Sequence, residues 1–314
     1  MATRVGVVLS GCGARDGSEI NEAVLALYWI ERFGGQAICM APDVTAAVVV
    51  DHLTQLPDGT SAPRRVLSEA ARIARGKIHD IASVRDNDLD ALVFPGGHGV
   101  ANVLSNYAEK GVVCDVHPEV ARLLKAMLSR HRPMGFICLA PILAARVLGP
   151  AAGVRITLGS KACPEAKHAA VMGADVRPCP EREILVDQKN RVVSTPAYMY
   201  DDARLADVGS AIERLVRQVL TFARERTQQR QPQPQPQPGQ PQGKGQAQGR
   251  GQGQGQGQGQ GRGQGQQPRR GNDGNRGNRD AKLSATAPDA GVVVRRQGNR
   301  DGGRPTSRPG DGSS

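Results

Sequence analysis

The chain has 314 residues and a net charge of +11, from 41 Lys+Arg against 30 Asp+Glu, with 39 glycines, 21 prolines and only 3% aromatic residues. Residues 1–227 carry +2 of that charge and residues 228–314 carry +9, so the basic character belongs mostly to the second part. Six cysteines at positions 12, 39, 114, 138, 163 and 179 show no C-x-x-C or paired metal spacing, which argues against a disulfide framework and against a metal site.

No apolar run reaches membrane-spanning length, and Met1 is followed within five residues by a strand-like V-G-V-V-L, leaving no room for a secretory signal. The expectation is a soluble cytoplasmic protein in a reducing compartment, with no membrane contact.

Residues Val5 to Leu9 are continuously apolar and end in S-G-C-G, as a central parallel strand does before a tight glycine turn. A helix is predicted from about Ser18, capped by Asp16 or Ser18. Its run A-V-L-A-L-Y-W-I, from Ala23 to Ile30, is apolar on almost every side, which predicts cover by protein all round and a poorly solvated Glu22. Gly34 and Gly35 end it, and Gln36 to Met40 reads as a second strand. Asp51 to Pro63 is irregular, Arg65 to Ala74 has helical spacing, and Asp90 to Phe94 is a strand running into P-G-G-H-G.

Helices are predicted over Ala101 to Ala108 and Pro118 to His131. Met134 to Ile137 is a short buried strand, and helical spacing follows from Leu139 to Leu148, with Gly149-Pro150 as the stop. Arg155 to Leu158, Glu183 to Val186 and Arg191 to Ser194 read as strands, the last two joined by a D-Q-K-N turn. Lys167 to Met172 is a short helix, and Asp202 to Arg224 a long amphipathic one. Strands alternating with helices predict a flavodoxin-like, doubly wound α/β sandwich with a mainly parallel sheet over residues 1–227.

In such a sheet ligands bind beyond the carboxyl ends of the strands. Cys138 lies there, on a bend between strand and helix, where unpaired N–H groups of the helix start are expected to favour its thiolate. The residues alone leave a buried structural cysteine and a nucleophile both open. Gly96 and Gly97 leave room for backbone donors to a developing oxyanion, or for a plain turn. Glu22 is the candidate acid or base; a first-turn glutamate stabilised by the helix dipole is the alternative, which suits Glu19 better. His98 is a third candidate and Cys12 a second thiol at the same edge.

The runs S-G-C-G-A-R-D-G-S-E-I-N-E-A-V from Ser10, A-L-V-F-P-G-G-H-G-V-A-N-V-L-S-N-Y-A from Ala91, G-F-I-C-L-A-P from Gly135 and S-T-P-A-Y-M from Ser194 together resemble the glyoxalase ElbB family of the PfpI superfamily, with its class I glutamine amidotransferase-like fold. The match covers nearly all of residues 1–224 in order. It implies a nucleophilic Cys138 with a partner glutamate, for which Glu22 fits better than Glu19. It also implies a cofactor-independent glyoxalase for a small aldehyde, with oxyanion or substrate contacts expected from Gly96, Gly97 and Leu139; His98 departs from the family pattern, so a contact from it would be particular to this chain. Many members of that superfamily carry a histidine directly after the cysteine or about twenty residues beyond. Here Leu139 and the G-S-K region at Gly159 stand instead, which argues against a peptidase-type pair.

A homodimer is expected. The alternatives are a redox-responsive binding or chaperone-like protein, a protein deglycase and, more weakly, an amidotransferase-like hydrolase. Residues 228–314, rich in Gln-Pro and Gly-Gln alternation, are expected to form a disordered, solubilising tail. They have no aromatic residue for base stacking and at most weak polyanion contact.

Overall fold

The computed structural model describes residues 2–59 and 62–230. The elements in chain order are β1 (Thr3–Val8), α1 (Ile20–Arg32), β2 (Gly35–Ala41), the ribbon β3 (Val50–Asp51) and β4 (Leu56–Pro57), α2 (Val66–Ile73), β5 (Ile78–Asp80) and β6 (Ala91–Phe94). Then come α3 (Gly99–Asn102), α4 (Tyr107–Lys110), α5 (Pro118–Ser129), β7 (Met134–Ile137), α6 (Pro141–Ala152), β8 (Arg155–Ile156), α7 (Pro164–Val171), β9 (Asp175–Val176), β10 (Leu185–Asp187), β11 (Val192–Thr195) and α8 (Leu205–Arg230).

Seven strands make the main sheet in the order β10-β11-β7-β6-β1-β2-β5, parallel except for β10 against β11. Without the three-residue edge strand β5 and the antiparallel β10, the order is the 2-1-3-4-5 winding of a flavodoxin-like sheet. The direction of winding reverses between β1 and β6, and the crevice at that point is where such folds bind ligands.

Alternating side chains divide the core in two. Val5, Val7, Val93 and Ile137 face the layer of α1, α2 and α8, while Val8, Leu92, Phe94 and Phe136 face α5, α6 and α7. Phe94 and Phe136 are paired across β6 and β7 and stack at 5.1 Å, fixing the register of the two strands that lead to Gly96 and Cys138.

Several boundaries differ from expectation for identifiable reasons. Glu19, not Asp16 or Ser18, caps α1, its carboxylate accepting from the Glu22 N–H at 2.6 Å. Ser18 is turned inward instead, where its hydroxyl accepts from the Ser10 N–H at 2.8 Å. Helix α1 is not covered all round by its own chain: Ile20, Val24 and Tyr28, spaced four apart, are 44%, 48% and 53% exposed.

The helix expected over 101–108 is broken, because the Ser105 hydroxyl donates to Val100 O at 2.7 Å and Asn106 Oδ1 accepts from Asp115 N, taking backbone groups from the helix. Helix α6 continues through Gly149 and Pro150 and stops at Gly153, whose φ of 58° supplies a left-handed cap. Helix α8 runs past Arg224 to Arg230. Apart from its last turn, the expected tail over 228–314 lies outside the described residues.

Candidate active site

The site is built from the carboxyl ends of β6, β7 and β11 and the first turn of α1. Cys138 follows β7 directly. Its N–H still continues the sheet, donating to Thr195 O at 3.0 Å, but its φ is 58°, a left-handed conformation that a non-glycine residue adopts only under strong constraint. The chain therefore turns sharply into α6, in the geometry of a nucleophile elbow. The N–H groups of Gly97 and Leu139 are directed at the sulfur.

Glu22 comes from the opposite side and is fully buried. Its Oε2 accepts from the Gly96 N–H at 2.8 Å. Gly96 lies between the two functional side chains: a Cβ there would sit 2.5 Å from Cys138 Cβ, 2.7 Å from Glu22 Oε2 and 3.0 Å from Ile137 O. Only glycine leaves room for the pair. Gly97, with φ of 94°, is equally constrained, because a side chain would collide with Gly17 O and Glu19 N. Backbone bonds from Glu19 N to Gly96 O and from Gly99 N to Gly17 O tie the turn after β6 to the start of α1.

Electrostatics couple the two groups. Burial, followed by the charge of Glu19, pushes the Glu22 carboxyl up from 4.5 to about 8, against weaker lowering by Gly96, the Tyr198 N–H and the Cys138 thiol. Its Oε1 is buried without a formed hydrogen bond. Burial first, then the Glu22 charge, raises the Cys138 thiol well above its ordinary value, and the Gly97 and Leu139 N–H groups only partly offset this. The expected thiolate is therefore not the resting form. A helix start supplies two donors, but a buried sulfur beside a carboxyl group loses more from desolvation than they return. When Glu22 is protonated, one of the two causes that raise the thiol disappears.

Structure brings Cys138, Glu22, Gly96, Gly97 and Leu139 together. The Gly96 N–H serves Glu22 and is not free for an oxyanion, which leaves Gly97 and Leu139 as donors. His98 lines the same opening but is exposed, and its Nδ1 is 3.0 Å from Ala14 O. Cys12 is not part of the pair: it lies in a separate small recess with Asp16 and Glu69.

Cys138 lies at a cleft of about 500 Å3 whose walls include Arg15, Glu19, Leu139, Cys163, Glu165, Tyr198, Met199 and Asp201, with Glu22 buried behind it. Cys163, Glu165 and Asp201 carried no site signal in the sequence; Arg15, Tyr198 and Met199 lay inside quoted motifs without a role, and Glu19 was weighed only against Glu22. Among the described residues no group of three or more His, Cys, Asp or Glu could hold a metal ion, and no helix is long and apolar enough to cross a membrane.

A parallel sheet with a cysteine elbow at its carboxyl edge defines a protein of the class I glutamine amidotransferase-like fold. No family model matches the chain. It is 43% identical over 228 residues to the human glutamine amidotransferase-like class 1 domain-containing protein 3, mitochondrial, covering 70% of this chain and 83% of that one. It is 41% identical over 225 residues to the rat ES1 protein homolog, mitochondrial, covering 69% and 83%. Among solved structures, an isoprenoid biosynthesis protein with amidotransferase-like domain from Ehrlichia chaffeensis superposes with a TM-score of 0.65 at 32% identity, covering 70% of this chain and 99% of that one.

The chain belongs to the family of these glutamine amidotransferase-like class 1 domain-containing 3 and ES1 proteins. The cytoplasmic expectation does not stand, since both curated relatives are named mitochondrial. It rested on unpaired cysteines, which exclude an oxidising compartment but do not separate one reducing compartment from another.

Proposed function

We propose that the protein is a cofactor-independent glyoxalase that converts a small 2-oxoaldehyde into a hydroxy acid. The observation that supports this most is the buried Cys138 and Glu22 pair, held on either side of Gly96 at the base of an open cleft. The Cys138 sulfur adds to the aldehyde carbon. A C–S bond forms, the carbonyl π bond opens, and the thiol proton ends on the oxygen, giving a hemithioacetal. The Gly97 and Leu139 N–H groups stabilise that oxygen as charge develops.

Glu22, ionised, takes the proton from the same carbon and returns it to the neighbouring carbonyl carbon, while the hydroxyl proton of the hemithioacetal passes to the neighbouring carbonyl oxygen. The first carbon is thereby oxidised to a thioester and the second reduced to an alcohol, so no external oxidant is required. Water then cleaves the thioester, releasing the acid and restoring the thiol. Oε2 is held by Gly96, so Oε1 is the atom that moves the proton. A carboxyl group raised to about 8 is a base of suitable strength near neutral pH.

Glutamine hydrolysis fits less well: Leu139 follows the cysteine, and His98 bonds to Ala14 rather than to Cys138. A homodimer belongs to the same proposal, and so does a mitochondrial location, the word that the curated relatives' names carry. Incubation of the purified protein with glyoxal should yield glycolate, and equal turnover by Cys138→Ser would sink the reading.

A further inference from the structure

The cleft is larger than glyoxal needs. About 500 Å3 is within the range that encloses a drug-sized ligand, whereas glyoxal has four heavy atoms. Beyond the reacting groups the charge of the cleft wall is lopsided: Glu19, Glu165 and Asp201 contribute three carboxylates against one guanidinium, Arg15.

Elsewhere on the described surface many carboxylates are matched with arginines, among them Asp43 with Arg65, Asp90 with Arg4 and Glu119 with Arg122. Among the described residues Glu19, Glu165 and Asp201 form no such ion pair. Arg15 is exposed and donates to the neutral Gln55 Oε1 at 3.1 Å. Tyr198 and Met199 supply apolar wall beside them, and an aromatic ring adds to the attraction for a cation.

Resting on the glyoxalase reading, we infer that the natural substrate is a 2-oxoaldehyde, or a close carbonyl equivalent, that carries a cationic group on its distal end. Cys138 takes the carbonyl head, and Glu165 and Asp201 at the cleft wall receive the positive tail. A carboxylate or phosphate tail would meet the same two side chains and be repelled, with Arg15 as its sole cationic partner among the cleft residues. The preference weakens as salt is added, because Glu165 and Asp201 are partly open to solvent.

The test uses 2-oxoaldehydes of one chain length ending in trimethylammonium, a neutral tert-butyl group or carboxylate; a quaternary tail cannot condense with the aldehyde. In the full-length protein at low salt, kcat/KM should favour the trimethylammonium compound over the carboxylate by about tenfold or more. In Glu165→Gln/Asp201→Asn that ratio should fall below about threefold. Equal rates, a preference for the carboxylate, or a ratio unchanged in the double variant would overturn the inference.

Calorimetric binding of the corresponding unreactive methyl ketones to Cys138→Ser separates this from the activity itself. If no dicarbonyl is turned over, the glyoxalase reading fails. Tail recognition still stands if the ammonium ketone binds about tenfold more tightly than the carboxylate, and falls if the two bind equally.

Discussion

Cys12 and Cys138 each follow a parallel strand of the same sheet, at the same edge, in a turn before a helix, yet they end in different surroundings. Cys138 takes the left-handed bend, faces two backbone N–H groups, shares its surroundings with a buried carboxyl and opens into a large cleft. Cys12 lies in a recess that holds about 10 Å3, where burial and the Glu69 carboxylate push its thiol up and no N–H pair compensates. Position at the sheet edge is therefore insufficient. What distinguishes the two thiols is a buried carboxyl neighbour and an open cleft.

The sharpest way to break that contrast is to remove each sulfur in turn. Cys138→Ser should lower kcat/KM for glyoxal by about 10³-fold or more, as loss of a nucleophile does, while Cys12→Ser should stay within about twofold. Comparable losses from both would show that the edge, rather than the partner, defines the site.

Removing the partner comes next. Glu22→Gln keeps an acceptor for the Gly96 N–H but cannot shuttle a proton, so kcat should fall by about 10²- to 10⁴-fold. In the wild type, activity should rise with pH through about 8 as Glu22 ionises, and this limb should be absent from any residual activity of the variant. The same shift has a consequence for stability.

The folded-state pKa of Glu22 lies above its ordinary value of 4.5, so from about pH 4.5 upward the unfolded chain releases a proton that the folded protein still holds. Folding is progressively disfavoured until about pH 8, where the effect levels off. Glu22→Gln lacks this penalty. Its unfolding free energy relative to wild type should therefore climb between those pH values by up to about 5 kcal/mol in denaturant titrations.

Gly96→Ala probes the spacing itself. The new Cβ would meet Cys138 Cβ, Glu22 Oε2 and the Ile137 carbonyl, two of which are fixed to the backbone. Overpacking of this kind costs about 1–3 kcal/mol. Turnover should fall further than thermal stability, because the substitution forces apart the two groups that must cooperate. An active, destabilised variant would mean that the pair tolerates separation.

The contrast also shows what the sequence could convey. Continuous apolar runs such as Val5 to Leu9 and Met134 to Ile137 announce central parallel strands, and the turn from strand to helix at Cys138 follows from the change of spacing. Glu22 was legible because a carboxylate opening an all-apolar helical run has nowhere solvated to go.

The use of the Gly96 N–H was not legible, since it depends on α1 lying against the turn after β6, 74 residues away. The thiol's raised pKa was hidden for the same reason: local sequence shows the helix start that favours a thiolate, while the burial that outweighs it comes from packing. Glu165, in the first turn of α7, and Asp201, in a turn before α8, meet at the cleft wall, and no periodicity encodes that meeting. The stripe Ile20, Val24 and Tyr28 went the other way, apolar in sequence and yet exposed in the fold.

Among the residues that line the cleft, the smallest effect is expected at His98. It lies within the cleft opening and next to Gly97, the natural place to look for a general base, but its imidazole is exposed and its Nδ1 meets Ala14 O. That contact pins the loop after β1 to the turn after β6, as does the backbone bond from His98 N to the same carbonyl at 2.8 Å, which survives any side-chain substitution. Loss of one exposed side-chain hydrogen bond is worth about 1 kcal/mol or less, and the backbone bond keeps the loop in place. His98→Ala should therefore change kcat/KM by less than about threefold and leave the shape of the pH profile intact. A loss approaching that of Glu22→Gln, with a new dependence at acid pH, would make His98 the proton carrier and reduce Glu22 to a buried support for Gly96.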